Sequence, residues 1–267
     1  MGLLGLDAYL ARHGSGASAE LDRVCAQIHA HTTLLYWFTD LDAALAEARR
    51  TNRPVLSLRL LGRLTEELSC ANSRFFRRLF YPEPRINRVL RDRFVLHWQS
   101  VRPVPKVTID FGDGRRLERT LTGNSLHLVL DAHGRPIDAL PGLYDPDTFL
   151  ALLERRPVAP PRAPRPRALE ASLRAPTKHM VEAPLLRAVA PVGPDLEYET
   201  RSNLELHARI GARLAMRPRP AADELVAWVY RELFLMPPDD PALGLDVPEP
   251  FGDQGFAPFV IQSRNSL

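Results

Sequence analysis

The sequence predicts an α/β protein: a mixed sheet flanked by helices, with a helical lead before it and a helical extension after it. Three observations predict this. Between residues 34 and 156, β-branched and aromatic runs alternate with segments whose apolar residues recur at helical spacing. Gly, Pro and Asn punctuate the junctions. A proline-rich stretch, 157–194, then separates this block from two further helical patterns. The expected organisation is a helical segment over 1–33, an α/β domain over 34–156, a linker over 157–194 and a helical extension over 195–267.

Residues 1–33 read as helical, because Leu3, Leu6, Tyr9 and Leu10 share one face, as do Leu21, Val24, Cys25 and Ile28. The run 32–38, TTLLYWF, suits a strand or an extended lead-in. Asp40 is placed to cap a helix carrying Leu41, Ala44, Leu45 and Ala48, which Asn52 and Pro54 close. PVLSLRLLG (54–62) alternates as a strand. The segment around Cys70 turns into a helix that must stop before Pro82. A short amphipathic helix (86–94) and a strand (94–101) follow. Gly112-Asp113-Gly114 marks a hairpin, and His133-Gly134 turns a second strand pair. Asp145 and Pro146 open a last helix, 145–156. Beyond the linker, 201–216 and 221–236 are helical patterns expected to pack on each other or back on the domain.

The formal charge of +3 is small and scattered, and Lys106 and Lys178 are the only lysines. A solvated basic surface fits this pattern better than a nucleic-acid partner. The amino terminus lacks the basic region and long apolar core of a secretion signal, and no apolar run reaches membrane-spanning length, so a cytosolic location is expected. Two cysteines make no disulfide framework. His29 and His31 fall on different helical faces, no metal-ligand spacing appears, and neither a metal nor a cofactor is expected.

Trp37, the Ala43-to-Ala48 helix, the run Asn52-Arg53-Pro54-Val55-Leu56, the cysteine-bearing turn and LVLDAHGRPI (128–137) stand in an order that resembles bacterial thioredoxin-like proteins. The resemblance covers about residues 34–155 and implies a thioredoxin-like fold with Cys70 as its attacking thiol. Three features depart from that family. Its dithiol is here Cys70-Ala71-Asn72-Ser73, the loop after Gly62 is lengthened by RLTEELS, and Gly123-Asn124-Ser125 replace the proline that normally faces the thiol.

The resemblance therefore implies a monothiol oxidoreductase or thiol-transfer protein. In it Asn72 and Ser73 stabilise the Cys70 thiolate, and Asn124, Ser125 and His127 line the facing wall. Its partner is a protein or a low-molecular-weight thiol, with the carboxy-terminal helices as a second protein-binding element. A thiol reacts as its thiolate, and a helix start lowers its pKa. Either Ser69 or Thr65 is placed to cap that helix; with Thr65, Glu66 and Glu67 would oppose ionisation. His127 is an alternative base for a Cys–His pair. Cys25 lies on an apolar face and reads as packed. The rival reading is a non-catalytic interaction module with Cys70 packed. A peroxiredoxin reading is weaker, because Glu67 stands where that family has a threonine and the proline of its motif is missing.

Overall fold

Strand β1 (Val55–Leu61) is buried at every position, so it must lie inside a sheet covered on both faces. The computed structural model describes residues 3–121, 123–155, 196–216 and 218–244. The chain divides into two compact units, Met1–Pro160 with Pro194–Val226, and Pro161–Gly193 with Ala227–Leu267. The expected linker, 157–194, and the tail with Phe251, Phe256 and Phe259 lie outside the described residues.

In the first unit, α1 (Leu3–His13) and α2 (Ala19–Cys25) lead into α3 (Leu41–Thr51) and β1. A short helix, α4 (Ala71–Phe75), widens into a π-helical turn at Phe76–Phe80. Then follow α5 (Pro84–Arg93), β2 (Val95–Arg102), β3 (Lys106–Asp110), β4 (Arg116–Thr120), β5 (Ser125–Leu130), β6 (Pro136–Pro141) and α6 (Pro146–Leu153). The sheet is mixed, with order β2-β1-β5-β6: β1 and β2 run parallel, while β5 is antiparallel to both β1 and β6. Strands β3 and β4 form a separate two-stranded ribbon. The run 32–38 begins in a 3-10 turn (Ala30–Thr32) with Leu34 at φ 52°, and its end joins the sheet through a parallel bridge from Phe38 to His97.

Local chemistry accounts for the helix limits. Asp40 accepts from the Ala43 N–H, and Asn52, in the left-handed region at φ 52°, ends α3. Asp145 accepts from the Thr148 N–H with Pro146 at the first helical position. The amino-terminal lead is anchored rather than loose. The Trp98 indole donates to the Ala26 carbonyl at 2.8 Å, the Trp37 indole to Gln27 at 2.9 Å, and Leu6, Leu21, Cys25 and Ala30 share one apolar cluster.

Helix α7 (Leu196–Ala215) packs on β6, so the first carboxy-terminal helix belongs to the same unit as the sheet. Asn203 donates to the Leu143 carbonyl at 2.8 Å, Thr200 accepts from the Asp145 N–H at 2.6 Å, and His207 meets Asp138 at 2.8 Å. Helix α8 (Ala222–Trp228) crosses the unit boundary. In the second unit a π-helical turn, Val229–Leu233, stacks Tyr230 edge-on against Phe234, and Arg231 grips Asp239 at 2.7 and 2.8 Å.

Candidate functional site

Cys70 is held by the end of β1. Its N–H donates to the Leu61 carbonyl at 3.1 Å, which draws the loop 63–69 back onto the sheet. Neither Ser69 nor Thr65 caps α4: Cys70 itself occupies that position, with φ −56° and ψ 155°. Glu66 and Glu67 therefore precede the helix instead of filling its first turn. The Cys70 side chain makes no capping hydrogen bond.

Four of the residues expected at the site do converge. Asn72 Nδ2 donates to Asn124 Oδ1 at 2.9 Å and reaches Ser125 Oγ at 3.3 Å. Ser73 Oγ–H points to Ser69 Oγ at 2.6 Å and to the Cys70 carbonyl at 2.9 Å. One hydroxyl proton cannot serve both of these and the sulfur. Gly123 closes the wall: a Cβ there would stand 2.3 Å from Cys70 Cβ and 3.7 Å from Sγ. The backbone thus lies directly on the thiol, and Cys70 is 0% exposed.

Burial is the main influence on Cys70 and raises its pKa above the ordinary thiol value. Hydrogen bonds from Ser73 and from the Leu61 backbone, together with the Arg74 charge, act in the opposite direction. Cys25 differs. Burial and the nearby Asp22 push it up to about 12, nothing there favours a thiolate, and it is packed as the sequence implies.

His127 does not pair with Cys70. Its Nε2 meets the Tyr81 hydroxyl at 2.7 Å within an aromatic cluster of Phe76, Phe149 and Tyr81. Burial drives its pKa down to about 3, and its Nδ1 has no hydrogen-bond partner among the described residues. Such an imidazole is neutral at any ordinary pH. It holds Tyr81 and has no geometry for activating the thiol.

Sequence reasoning missed two polar groups. Arg77 is fully buried, donates through Nη1 to the Leu64 and Glu66 carbonyls at 2.8 and 2.9 Å, and is lowered to about 10 by burial. It pins the lengthened loop, and the exposed Glu67 adds contacts to Arg78 and to His29. Replacing Arg77 with leucine should keep the volume but orphan two carbonyls. Hydrogen exchange of amides 63–69 should quicken, with a stability loss of about 1–3 kcal/mol; an unchanged exchange pattern would show that the loop holds itself.

The second group lies on the other face of the sheet, since Ser57 and Leu58 alternate. Ser57 Oγ meets His97 Nδ1 at 2.7 Å, and Arg59 bonds Ser57 and Gln99 and reaches Asp223 at 3.2 Å. The signal was present: serine and arginine at alternating positions of an otherwise leucine-rich strand demand buried partners.

Among the described residues, no cluster of His, Cys, Asp or Glu could hold a metal ion, and no helix is long and apolar enough to cross a membrane. No protein-family model matches the chain, and no curated protein matches it.

Proposed function

We propose that the chain is a thioredoxin-like, cytosolic monothiol protein that exchanges Cys70 with a protein or low-molecular-weight disulfide. The fold part of this reading is supported by element order: helix, strand, cysteine-bearing turn, helix, strand, antiparallel strand pair, helix. A sheet with β1 inside, parallel to β2 and antiparallel to β5, agrees with it. The β3–β4 ribbon stands before β5 as a separate pair outside that order.

One observation carries the functional part. The sulfur is sealed, yet Ser73, the Leu61 backbone and the Arg74 charge act on it, and the Asn72–Asn124–Ser125 bonds tie its helix, α4, to the turn whose Gly123 packs on Cys70. A cysteine that merely fills space needs no such arrangement, as Cys25 illustrates among Leu6, Leu21 and Ala30. Buried polar groups are costly to arrange, and here they are of the kind that stabilises an anion.

In the exchange, Cys70 gives its proton to solvent and its thiolate attacks one sulfur of a disulfide R–S–S–R′. A Cys70–S–S–R bond forms as the S–S bond breaks, and R′–S⁻ leaves with the electron pair. With serine at position 73, an external thiolate resolves the mixed disulfide. As R″–S⁻ it attacks the R sulfur, forming R″–S–S–R as the bond to Cys70 breaks and Cys70 leaves as thiolate, so one disulfide is exchanged for another with no net oxidation.

A second reading, a non-catalytic interaction module, is favoured by the full burial of Cys70 and its raised pKa. Incubation with oxidised glutathione separates the two. The exchange reading expects one mixed disulfide per chain, located at Cys70, removed by reduced thiol and absent from Cys70→Ala. No adduct on a folded chain would favour the interaction module.

A further inference from the structure

We infer that the cleft between the start of β6, the end of α6 and helix α7 binds a small organic carboxylate, a single negative charge carried on an apolar body. The inference does not rest on the monothiol reading, since Cys70 is not among the walls of this cleft.

The cleft has a volume of about 620 Å³, a size that holds a small organic molecule. All of its walls belong to the first unit. Ile137 of β6, Leu152 of α6 and Leu214 of α7 supply the apolar surface. Arg155 and Arg219 add two cations. Asp138 is the one acid among these described walls, and it is already engaged: His207 Nε2 and the Ala139 N–H both meet its Oδ1 at 2.8 Å. Two arginines against one aspartate, with histidine counted as neutral, leave a single positive charge. A carboxylate matches that charge, whereas a phosphate monoester of nearly two charges exceeds it.

Both arginines keep donors to offer. Arg155 follows α6 at φ 55°, a conformation that L side chains rarely adopt, and its guanidinium makes no hydrogen bond or ion pair with a described residue. Arg219 is tethered only by long bonds, from Nε to the Leu214 carbonyl at 3.3 Å and from Nη1 to the Pro136 carbonyl at 3.4 Å. Its remaining N–H groups suit a carboxylate, whose two oxygens fit the planar guanidinium fork.

Gly211 supports an occupant independently. It stands inside α7, where glycine is the poorest helix former after proline. A Cβ there would meet nothing within 4 Å, so packing does not call for glycine at this position. Gly211 forms part of the cleft wall, and the open space above it is what an apolar body lying across the helix would use.

The test uses the full chain and naphthalene-1-carboxylate as the probe. Titration calorimetry measures its affinity for the parent, Arg155→Met, Arg219→Met and Gly211→Leu, and thermal melts report on the fold of each. One naphthoate should bind per chain in the parent. Each arginine variant should weaken binding about tenfold, the effect of losing roughly one charge-assisted hydrogen bond. Gly211→Leu should fill the space and abolish binding without lowering Tm, because leucine favours a helix more than glycine does. The cation 1-naphthylmethylammonium should not bind.

No binding to the folded parent, or equal affinity for the ammonium analogue, would overturn the site. So would undiminished binding in a folded Gly211→Leu chain. Should that variant melt lower, the arginine variants decide, and unchanged affinity in both overturns the proposal. Tighter binding of 1-naphthyl phosphate than of naphthoate would overturn the match to a single charge.

Discussion

Acidification from pH 6.5 to 5 should destabilise the protein steeply, and His127 should account for a measurable share of the slope. His127 and His97 are buried neutral, with pKa values lowered to about 3 and about 4. Burial is the larger cause in both, and the Arg59 charge adds to it at His97. In the unfolded chain both return to about 6.5. Below that pH the unfolded state binds protons that the folded state refuses, so stability is full above the unfolded value and is lost as pH falls toward the folded values. Each histidine contributes on the order of 1 kcal/mol per pH unit in this window, which lies above the range where the carboxylates titrate. Urea melts at closely spaced pH values measure the slope. His127→Gln, which keeps an amide near Tyr81 but cannot ionise, should flatten it by about one histidine's share. An identical slope in the variant would mean that His127 is already protonated or solvated in the fold.

Gly142→Ala is expected to cost about 2–5 kcal/mol by driving α7 off the sheet. Gly142 has φ +67°, where an L side chain costs roughly 1–2 kcal/mol. A Cβ there would stand 2.5 Å from Asn203 Nδ2 and 2.7 Å from its Oδ1. Asn203 is itself buried, and its Nδ2 satisfies the Leu143 carbonyl, so displacing it leaves a buried acceptor unpaired at a further cost of about 1–3 kcal/mol. The two residues should therefore couple. Asn203→Ala in the Gly142→Ala background should restore part of the loss, and a double-mutant cycle of denaturation midpoints reads the coupling directly. Strict additivity would show that α7 is placed by something other than this contact.

Much of the fold was legible because its signals are local. Asp40, Asn52, Asp145 and Pro146 mark helix ends through bonds to residues within a turn of themselves, and Gly112-Asp113-Gly114 needs no distant partner to make a hairpin. The convergence of Asn72 with Asn124 and Ser125 was readable only through family resemblance, since 52 residues separate the first pair. What failed was orientation and long-range pairing. His127 was on the expected strand, but alternation alone cannot say that Tyr81 would reach it before the thiol does. The helix cap was mistaken because serine and threonine are the usual caps, whereas the bond from Cys70 N–H to Leu61 fixes the turn from the strand side. Helix α7 gave a clear amphipathic pattern and no sign of its destination. That lies in Asn203 fitting against a glycine 61 positions earlier, where no side chain can stand.

The most direct test is the pH dependence of Cys70 alkylation in the Asn72→Ala chain, which lacks the bonds from Asn72 to Asn124 and Ser125. Burial is the one influence that raises its pKa, and Ser73, the Leu61 backbone and Arg74 remain in place to lower it. The rate should rise with an apparent pKa below the reference value of about 8.5. A midpoint at or above that value, in a chain whose Cys70 is open to reagent, would contradict an ionisable thiol and leave only a packed one.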